Sequence, residues 1–250
     1  MVKKIAFLVG LLVFVSPVSS WGSVRQTLPV LAGDARVLSF DPAGRGRLVV
    51  ALGDVERARH VAVVVPGSDV DVRRFSSVMA MARAVYDEAG PGVAVVAWLG
   101  YDTPEGLGID AATGGLARAG AAALTEFVRG LPAVHVSLLC HSYGTVVCAV
   151  GAGGMPGVAD IVFTGSPGVR VDSVGELGTS ARVWAARSSS DWTRWVPKVR
   201  VGDMGHGGDP VDPSFGARVL DGGDGKHDEY YRVGGVVLGE IVRVVVGDLR

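Results

Sequence analysis

The sequence predicts an α/β fold: a mostly parallel, doubly wound sheet with an antiparallel hairpin at its N-terminal side. Three observations point there. Short continuous apolar runs alternate with stretches of helical spacing, which is how a parallel sheet with crossover helices is written. Apolar residues make up 48% of the chain and aromatics only 7%, so the core is built from Val, Ala and Leu, as in strands buried on both faces. The apolar runs also end in turns rich in Gly, Ser and Pro, at the strand ends where such sheets carry their sites. The 250 residues show no internal linker and no repeat, and fit a single domain over residues 36–250.

Taken in order, Val37 to Asp41 and Arg47 to Leu52 alternate apolar and polar residues around Pro42-Ala-Gly-Arg-Gly46, the pattern of an edge hairpin. His60 to Val65 is a nearly unbroken apolar run closed by Pro66-Gly67-Ser68, a central parallel strand. Asp71 is placed to cap the next helix, where Phe75, Val78, Met79, Ala82 and Val85 recur at helical spacing up to Gly90-Pro91. Gly92 to Leu99 gives the next strand, and a glycine-rich irregular stretch runs from Tyr101 to Gly115. Leu116, Ala119, Ala123, Leu124 and Phe127 mark a helix ending at Gly130. A strand at Val136 to Leu139, a helix reaching Gly154, and strands at Asp160 to Thr164 and Arg182 to Ala186 follow. A short segment with Trp192 and Trp195 leads to a brief strand at Lys198 to Val201, then a long loop from Gly202 to Lys226. The last helix is expected over Tyr230 to Val246, although its valines also permit a strand.

Met1 to Ser20 is different in kind: Lys3 and Lys4, an apolar run from Ile5 to Val15, then Ser16-Pro-Val-Ser-Ser20. Residues 1–20 are read as a secretory signal peptide, with 21–35 as a lead-in to the domain. If uncut, the same segment would tether the chain to a membrane, so the expected location is secreted or membrane-anchored on the extracellular side. The two cysteines, Cys140 and Cys148, are expected as free, buried thiols, because pairing them would distort the turn between them. A net charge of −1 with scattered Lys and Arg argues against a nucleic-acid partner and for a small neutral or mildly polar substrate.

The chemistry centres on Val136-Ser-Leu-Leu-Cys-His-Ser-Tyr-Gly-Thr145. A buried strand runs into a small-residue turn with Ser142 at its tip, and Gly144 permits a sharp reversal into the next helix. A serine hydroxyl becomes a nucleophile only when held on such a turn beside a base and free backbone N–H groups. The pattern Cys140-His-Ser-Tyr-Gly144 has cysteine where G-x-S-x-G elbows have their first glycine. Of the five histidines, His60 and His135 fall at strand starts, the wrong end for a site. His141 adjoins the serine but points elsewhere, to support the turn or line the pocket. His227 lies just before the last helix and is preferred to His206 as the base. Asp191 follows a late strand and is the acid chosen, with Asp203 and Asp209 as substitutes. Asp191 can equally be a helix cap. The oxyanion donors expected are the N–H of Tyr143 and one from the loop at Ser68 or Asp69. Tyr101, Trp192 and Phe215, with His141, are candidate pocket walls.

These residues resemble an actinobacterial α/β-hydrolase family long classed as a domain of unknown function. The likeness rests on Val64-Val-Pro-Gly67, Gly100-Tyr-Asp-Thr-Pro104, His141-Ser-Tyr-Gly-Thr145, Gly207-Gly-Asp-Pro210 with Phe215-Gly-Ala-Arg218, and His227, and it spans about residues 37–246, nearly the whole chain after the leader. It implies an α/β-hydrolase fold with Ser142 as nucleophile and His227 as base, and it brings no substrate. The order Ser142, Asp191, His227 is the one α/β-hydrolases use. The reading is a serine hydrolase acting on a carboxylic ester or related acyl compound through an acyl-enzyme, with no metal or organic cofactor required. Two alternatives stand beside it: a hydrolase-fold binding module without activity, and metal-assisted hydrolysis by His206, Asp209 and His227, which lack compact ligand spacing.

Overall fold

The structure is a computed structural model that describes residues 34–132 and 135–249. The anticipated leader at 1–20 and most of the lead-in lie outside the described residues. No helix among the described residues is long and apolar enough to cross a membrane.

The main sheet is built from β1 (Ala35–Asp41), β2 (Arg47–Leu52), β3 (His60–Val65), β4 (Val93–Leu99), β5 (His135–His141), β6 (Val158–Thr164), β7 (Arg182–Ala186) and β10 (Arg218–Val219). Its spatial order is β1-β2-β4-β3-β5-β6-β7-β10. The hairpin expected from Val37 to Leu52 forms antiparallel with its loop at Pro42 to Gly46, and β2 also runs antiparallel to β4. From β4 onward every pairing is parallel. β3 and β5 lie side by side at the centre, in register from His60 opposite His135 to Val65 opposite Cys140. The unbroken Val run of β3 is fully buried because helices cover both faces. On one face lie α1 (Ser76–Ala89) and α5 (Val236–Val245); on the other lie α3 (Gly115–Arg129) and α4 (Gly144–Gly151). A single turn, α2 (Ile109–Ala112), interrupts the irregular stretch after β4.

Local chemistry explains most boundaries. Asp71 caps as expected, its carboxylate accepting from the N–H groups of Arg73 and Arg74 at 2.9 and 3.0 Å. It caps a short 3-10 turn, Val72–Arg74, that leads into α1. α3 buries Ala117, Gly120, Ala121, Leu124 and Val128, one position round from the expected stripe. The small residues face inward because Tyr101 packs there: a Cβ on Gly120 would lie 2.9 Å from its ring. Leu116 and Phe127 therefore sit half-buried at the margin.

The C-terminal region differs more. The last helix starts at Val236 rather than Tyr230, because Gly234 takes φ 73° and residues 230–235 form turns. The loop expected from Gly202 to Lys226 contains β9 (Met204–Gly205), which pairs with β8 (Arg200–Val201) in a separate hairpin, and β10, an edge strand of the main sheet. β8 falls within the brief strand expected at Lys198 to Val201, while β9 and β10, two residues each, carry too little pattern to be read from sequence.

At the strand-start end of the sheet, Asp160 is fully buried and accepts from His135 Nε2 at 2.9 Å, from Nε and Nη2 of Arg182 at 2.8 Å each and from Trp184 Nε1 at 2.8 Å. Four donors satisfy the buried carboxylate, and the His60 ring packs at a tilt with its centroid 4.9 Å from that of His135. Both histidines thus serve structure, far from the strand carboxyl ends.

Candidate active site

β5 delivers the chain to a sharp reversal. Ser142 has φ 54°, a left-handed conformation that costs a non-glycine residue about 1–2 kcal/mol and persists only where its surroundings enforce it. Its N–H donates to the Thr164 carbonyl at 2.9 Å, tying the turn to β6, and its carbonyl accepts from Thr145 Oγ1 at 2.7 Å. Two glycines make room. A Cβ on Gly144 would collide with the Val65 carbonyl, and one on Gly67 would lie 2.5 Å from the Cβ of Ser142. β3 and the elbow can approach only because both are glycine.

The cysteines are not free. Cys140, at the end of β5, and Cys148, one helical turn beyond the elbow in α4, form a disulfide with Cα atoms 6.5 Å apart, inside the ordinary disulfide range. The turn accommodates the bridge because α4 folds back over β5, so the cross-link spans the elbow from behind. Cysteine in place of the usual glycine is thus half of a staple.

Ser142 Oγ lies 2.8 Å from His227 Nε2, and His227 Nδ1 lies 3.0 Å from each carboxylate oxygen of Asp191. Three segments far apart in sequence meet at one point. Asp191 is fully buried. Its oxygens also accept from the Thr193 N–H at 2.7 Å and from the Tyr230 hydroxyl, so it caps the Trp192–Trp195 turn and faces the histidine at once. Burial works against its charge. The hydrogen bonds from His227, Tyr230 and Thr193 outweigh that cost and hold the carboxyl well below the usual range. The substitutes lie elsewhere: Asp203 pairs with Arg118 and Arg170, and Asp209 with Arg187.

His141 is buried beneath this line. Desolvation and the neighbouring His227 lower its pKa to about 4, so the ring is neutral and its Nε2–H donates to the His227 carbonyl at 2.8 Å. It props the loop that carries His227 while its ring forms part of the cleft floor. Gly165, at φ 60°, is equally necessary: a Cβ there would lie 2.9 Å from Asp191 Oδ2 and 3.0 Å from the rings of His227 and Tyr230.

Beside Ser142, the N–H groups of Tyr143 and Ser68 have no hydrogen-bond acceptor among the described residues. The Asp69 N–H is taken by the Pro104 carbonyl at 2.8 Å, which removes it from the pair considered at sequence level. The serine opens into a cleft of about 900 Å³. Val78, Met81, Leu107, Trp192 and Tyr231 give apolar walls, and Ser68, Arg73, Arg74 and Arg232 are among the polar ones. The Trp192 ring sits 4.9 Å from that of His227.

Two expected wall residues are corrected. Tyr101 is buried behind the β3 loop, its hydroxyl donating to the Pro66 carbonyl at 2.7 Å. Phe215 packs into the core, because its short 3-10 turn tucks inward. Sequence reasoning also missed Tyr230, Gly67, Gly165 and Met81. The glycines were visible only as turn formers, and Tyr230 was assigned to a helix that begins later.

His206, Asp209 and His227 do not converge: His206 Nε2 bonds the Ala111 carbonyl at 2.6 Å and Asp209 pairs with Arg187. A different trio, His141, His227 and Asp228, has potential ligand atoms within 4.8 Å of one another. Both His227 nitrogens and Nε2 of His141 are already engaged, which makes this trio a pocket wall rather than a cation site. What the arrangement can do is withdraw a proton from a hydroxyl and stabilise the resulting imidazolium, next to two open N–H groups.

Fold and site together define the α/β-hydrolase class. A family described as Alpha/beta hydrolase matches residues 41–201, and the chain belongs to that family. It is 36% identical over 151 residues to an uncharacterized protein of Mycobacterium tuberculosis, a match covering 53% of this chain and 23% of that protein. It is 34% identical over 179 residues to an uncharacterized protein of Mycobacterium bovis, covering 62% and 66%. The chain thus spans about a quarter of the first relative and about two thirds of the second. Among solved structures, a serine hydrolase without lid from Xanthomonas campestris aligns at TM-score 0.53 and 16% identity, covering 86% of this chain and 94% of that one. Dienelactone hydrolase from Anabaena variabilis aligns at TM-score 0.53 and 13% identity, covering 85% and 95%. At such identities these two describe the fold alone.

Proposed function

We propose that the chain is a serine esterase that cleaves a carboxylic ester or related acyl compound through an acyl-enzyme. The observation that carries this reading is the continuous line Asp191–His227–Ser142, with contacts of 3.0 and 2.8 Å ending on a serine at φ 54°. In this reading Ser142 Oγ attacks the acyl carbon while its proton passes to His227 Nε2. Asp191 holds the ring in the tautomer with Nδ1 protonated and stabilises the imidazolium. The N–H groups of Tyr143 and Ser68 receive the developing oxyanion. The proton then goes to the departing alkoxide, the alcohol leaves, and a water activated by the same histidine releases the acid.

Residues 1–20 read as an export signal, and the Cys140–Cys148 bridge supports an oxidising, extracytoplasmic compartment. The test is hydrolysis of short-chain p-nitrophenyl esters. The expected result is turnover with an initial burst of nitrophenol, reduced about a thousandfold or more in Ser142→Ala. Undiminished turnover by Ser142→Ala would overturn the reading.

A further inference from the structure

Large apolar side chains exposed among the described residues are not spread evenly. Of eleven, seven lie on just two segments, Leu107 to Ile109 and Trp192 to Met204, both leaving the carboxyl ends of strands on the face that opens at Ser142. These two segments are joined. Thr113, which closes α2, bridges Met204 of the β8–β9 hairpin, and Val201 pairs with Met204 across that hairpin. At the other end of the arc, Trp192 and Trp195 fall three apart on a 3-10 turn and so share a side. Leu107 and Trp192 both line the cleft. The apolar arc therefore begins and ends at the mouth of the candidate active site. Trp195 at 77%, Val201 at 79% and Leu107 at 78% exposure have no packing role to explain them.

The charge on this arc is one-sided. From Trp192 to Val201 the sequence reads Trp-Thr-Arg-Trp-Val-Pro-Lys-Val-Arg-Val, with three cations and no acid, in a chain whose net charge is −1. Lys198 turns inward and donates to the carbonyls of Ser166 and Thr193. Arg194 and Arg200 stay outside with no carboxylate partner among the described residues, Arg194 lying 5.0 Å over the Trp195 ring. Asp203 at the hairpin turn is neutralised between Arg118 and Arg170, and Glu105 pairs with Arg45. Asp110, beside Ile109, and Asp228, in the cleft wall with Trp192, are exposed acids without a salt-bridge partner among the described residues. Tryptophans interleaved with arginines on an exposed apolar rim match the composition that seats proteins at a membrane–water boundary. Arginines without acids add attraction to anionic headgroups.

We propose that this face docks on an anionic lipid surface, with the β8–β9 hairpin and the Trp192–Trp195 turn entering the headgroup region and the cleft opening onto it. Docking stands independently of catalysis. The corollary that the ester itself is drawn from that surface rests on the serine-esterase reading.

The test is co-sedimentation of the full chain with vesicles of phosphatidylcholine containing 30% phosphatidylglycerol, beside phosphatidylcholine alone. Binding is expected to be stronger on the anionic vesicles. Arg194→Glu with Arg200→Glu should weaken it by about tenfold or more, and Val201→Asp with Met204→Asp by a similar factor. These positions are exposed, so the variants keep the native circular dichroism. Because every variant retains residues 1–33, any affinity of that segment cancels in the comparison. Brominated phosphatidylglycerol should also quench wild-type tryptophan fluorescence more than that of Trp195→Phe. Ser142→Ala should bind like wild type whatever its activity, which separates failure of docking from failure of the esterase reading. Equal vesicle binding by all variants, equal quenching with and without Trp195, or concealment of the arc by self-association in solution would each overturn the proposal.

Discussion

Tyr230 shows how the acid is kept charged in a buried site. Its hydroxyl donates to Asp191 and accepts from the Ser188 N–H at 3.1 Å, so the phenol links the acid to the end of β7. Burial and the adjacent carboxylate push the Tyr230 pKa up, which keeps it a donor. Tyr230→Phe removes one of the bonds that offset Asp191's desolvation. It should destabilise the fold by about 1.5–3 kcal/mol and lower kcat on an ester substrate with little change in KM, since no substrate contact is lost. Urea unfolding and steady-state kinetics check both. An unchanged kcat would mean that the histidine is oriented without it. At this scale the sequence singled out Ser142 and Asp191 because each follows an identifiable strand, and His227 because it lies just before the last helix. It was silent about Tyr230, whose role depends on a contact across 39 residues, and it misled on Tyr101 and Phe215, because an aromatic near a loop can as easily point inward.

Among the elements, the elbow is the most constrained. β5, the turn and α4 are fixed by Gly67 and Gly144, by the Ser142 N–H bond to β6, and by the disulfide. A loop closed across eight positions contributes about 2.5 kcal/mol in the chain-entropy picture. Replacing both cysteines by alanine should lower unfolding free energy by roughly that amount, read by denaturant titration. The Ser142–His227 contact should survive in this variant, because backbone pairing and not the bridge sets the turn. Loss of folding-independent activity would show instead that the bridge shapes the elbow. The strands were legible from their unbroken Val and Leu runs, and the pairing of the cysteines was not. Spacing alone does not say that a helix returns over its strand closely enough to bring two Cα atoms within 6.5 Å. Likewise β9 and β10 are two-residue strands held by partners, with no periodicity to announce them.

Across the whole molecule, burial of histidines gives stability a definite pH dependence. His141 is lowered from 6.5 to about 4, and burial lowers His60 and His206 in the same direction. Between pH 6.5 and about 4 the unfolded chain therefore binds more protons than the folded one, and stability falls as pH falls through that window. His141 alone accounts for up to about 3 kcal/mol of the loss. Below about pH 4 the depressed carboxyl of Asp191 adds a further loss as it is forced to protonate. Urea unfolding at pH 7.5, 5.5 and 4 should show this decline, and His141→Gln, whose amide can still donate to the His227 carbonyl, should flatten it between 6.5 and 4. The alternation of strands and helices made the architecture readable as a whole, while the order β2-β4-β3-β5 and the convergence of residues 142, 191 and 227 belong to tertiary packing. That convergence is the central claim, and labelling of the folded chain by a fluorophosphonate, followed by peptide mapping, tests it most directly. The expected result is a single adduct on Ser142, lost in Ser142→Ala, strongly reduced in His227→Ala and absent after denaturation. Failure of the folded wild type to label, or labelling undiminished in Ser142→Ala, would contradict it.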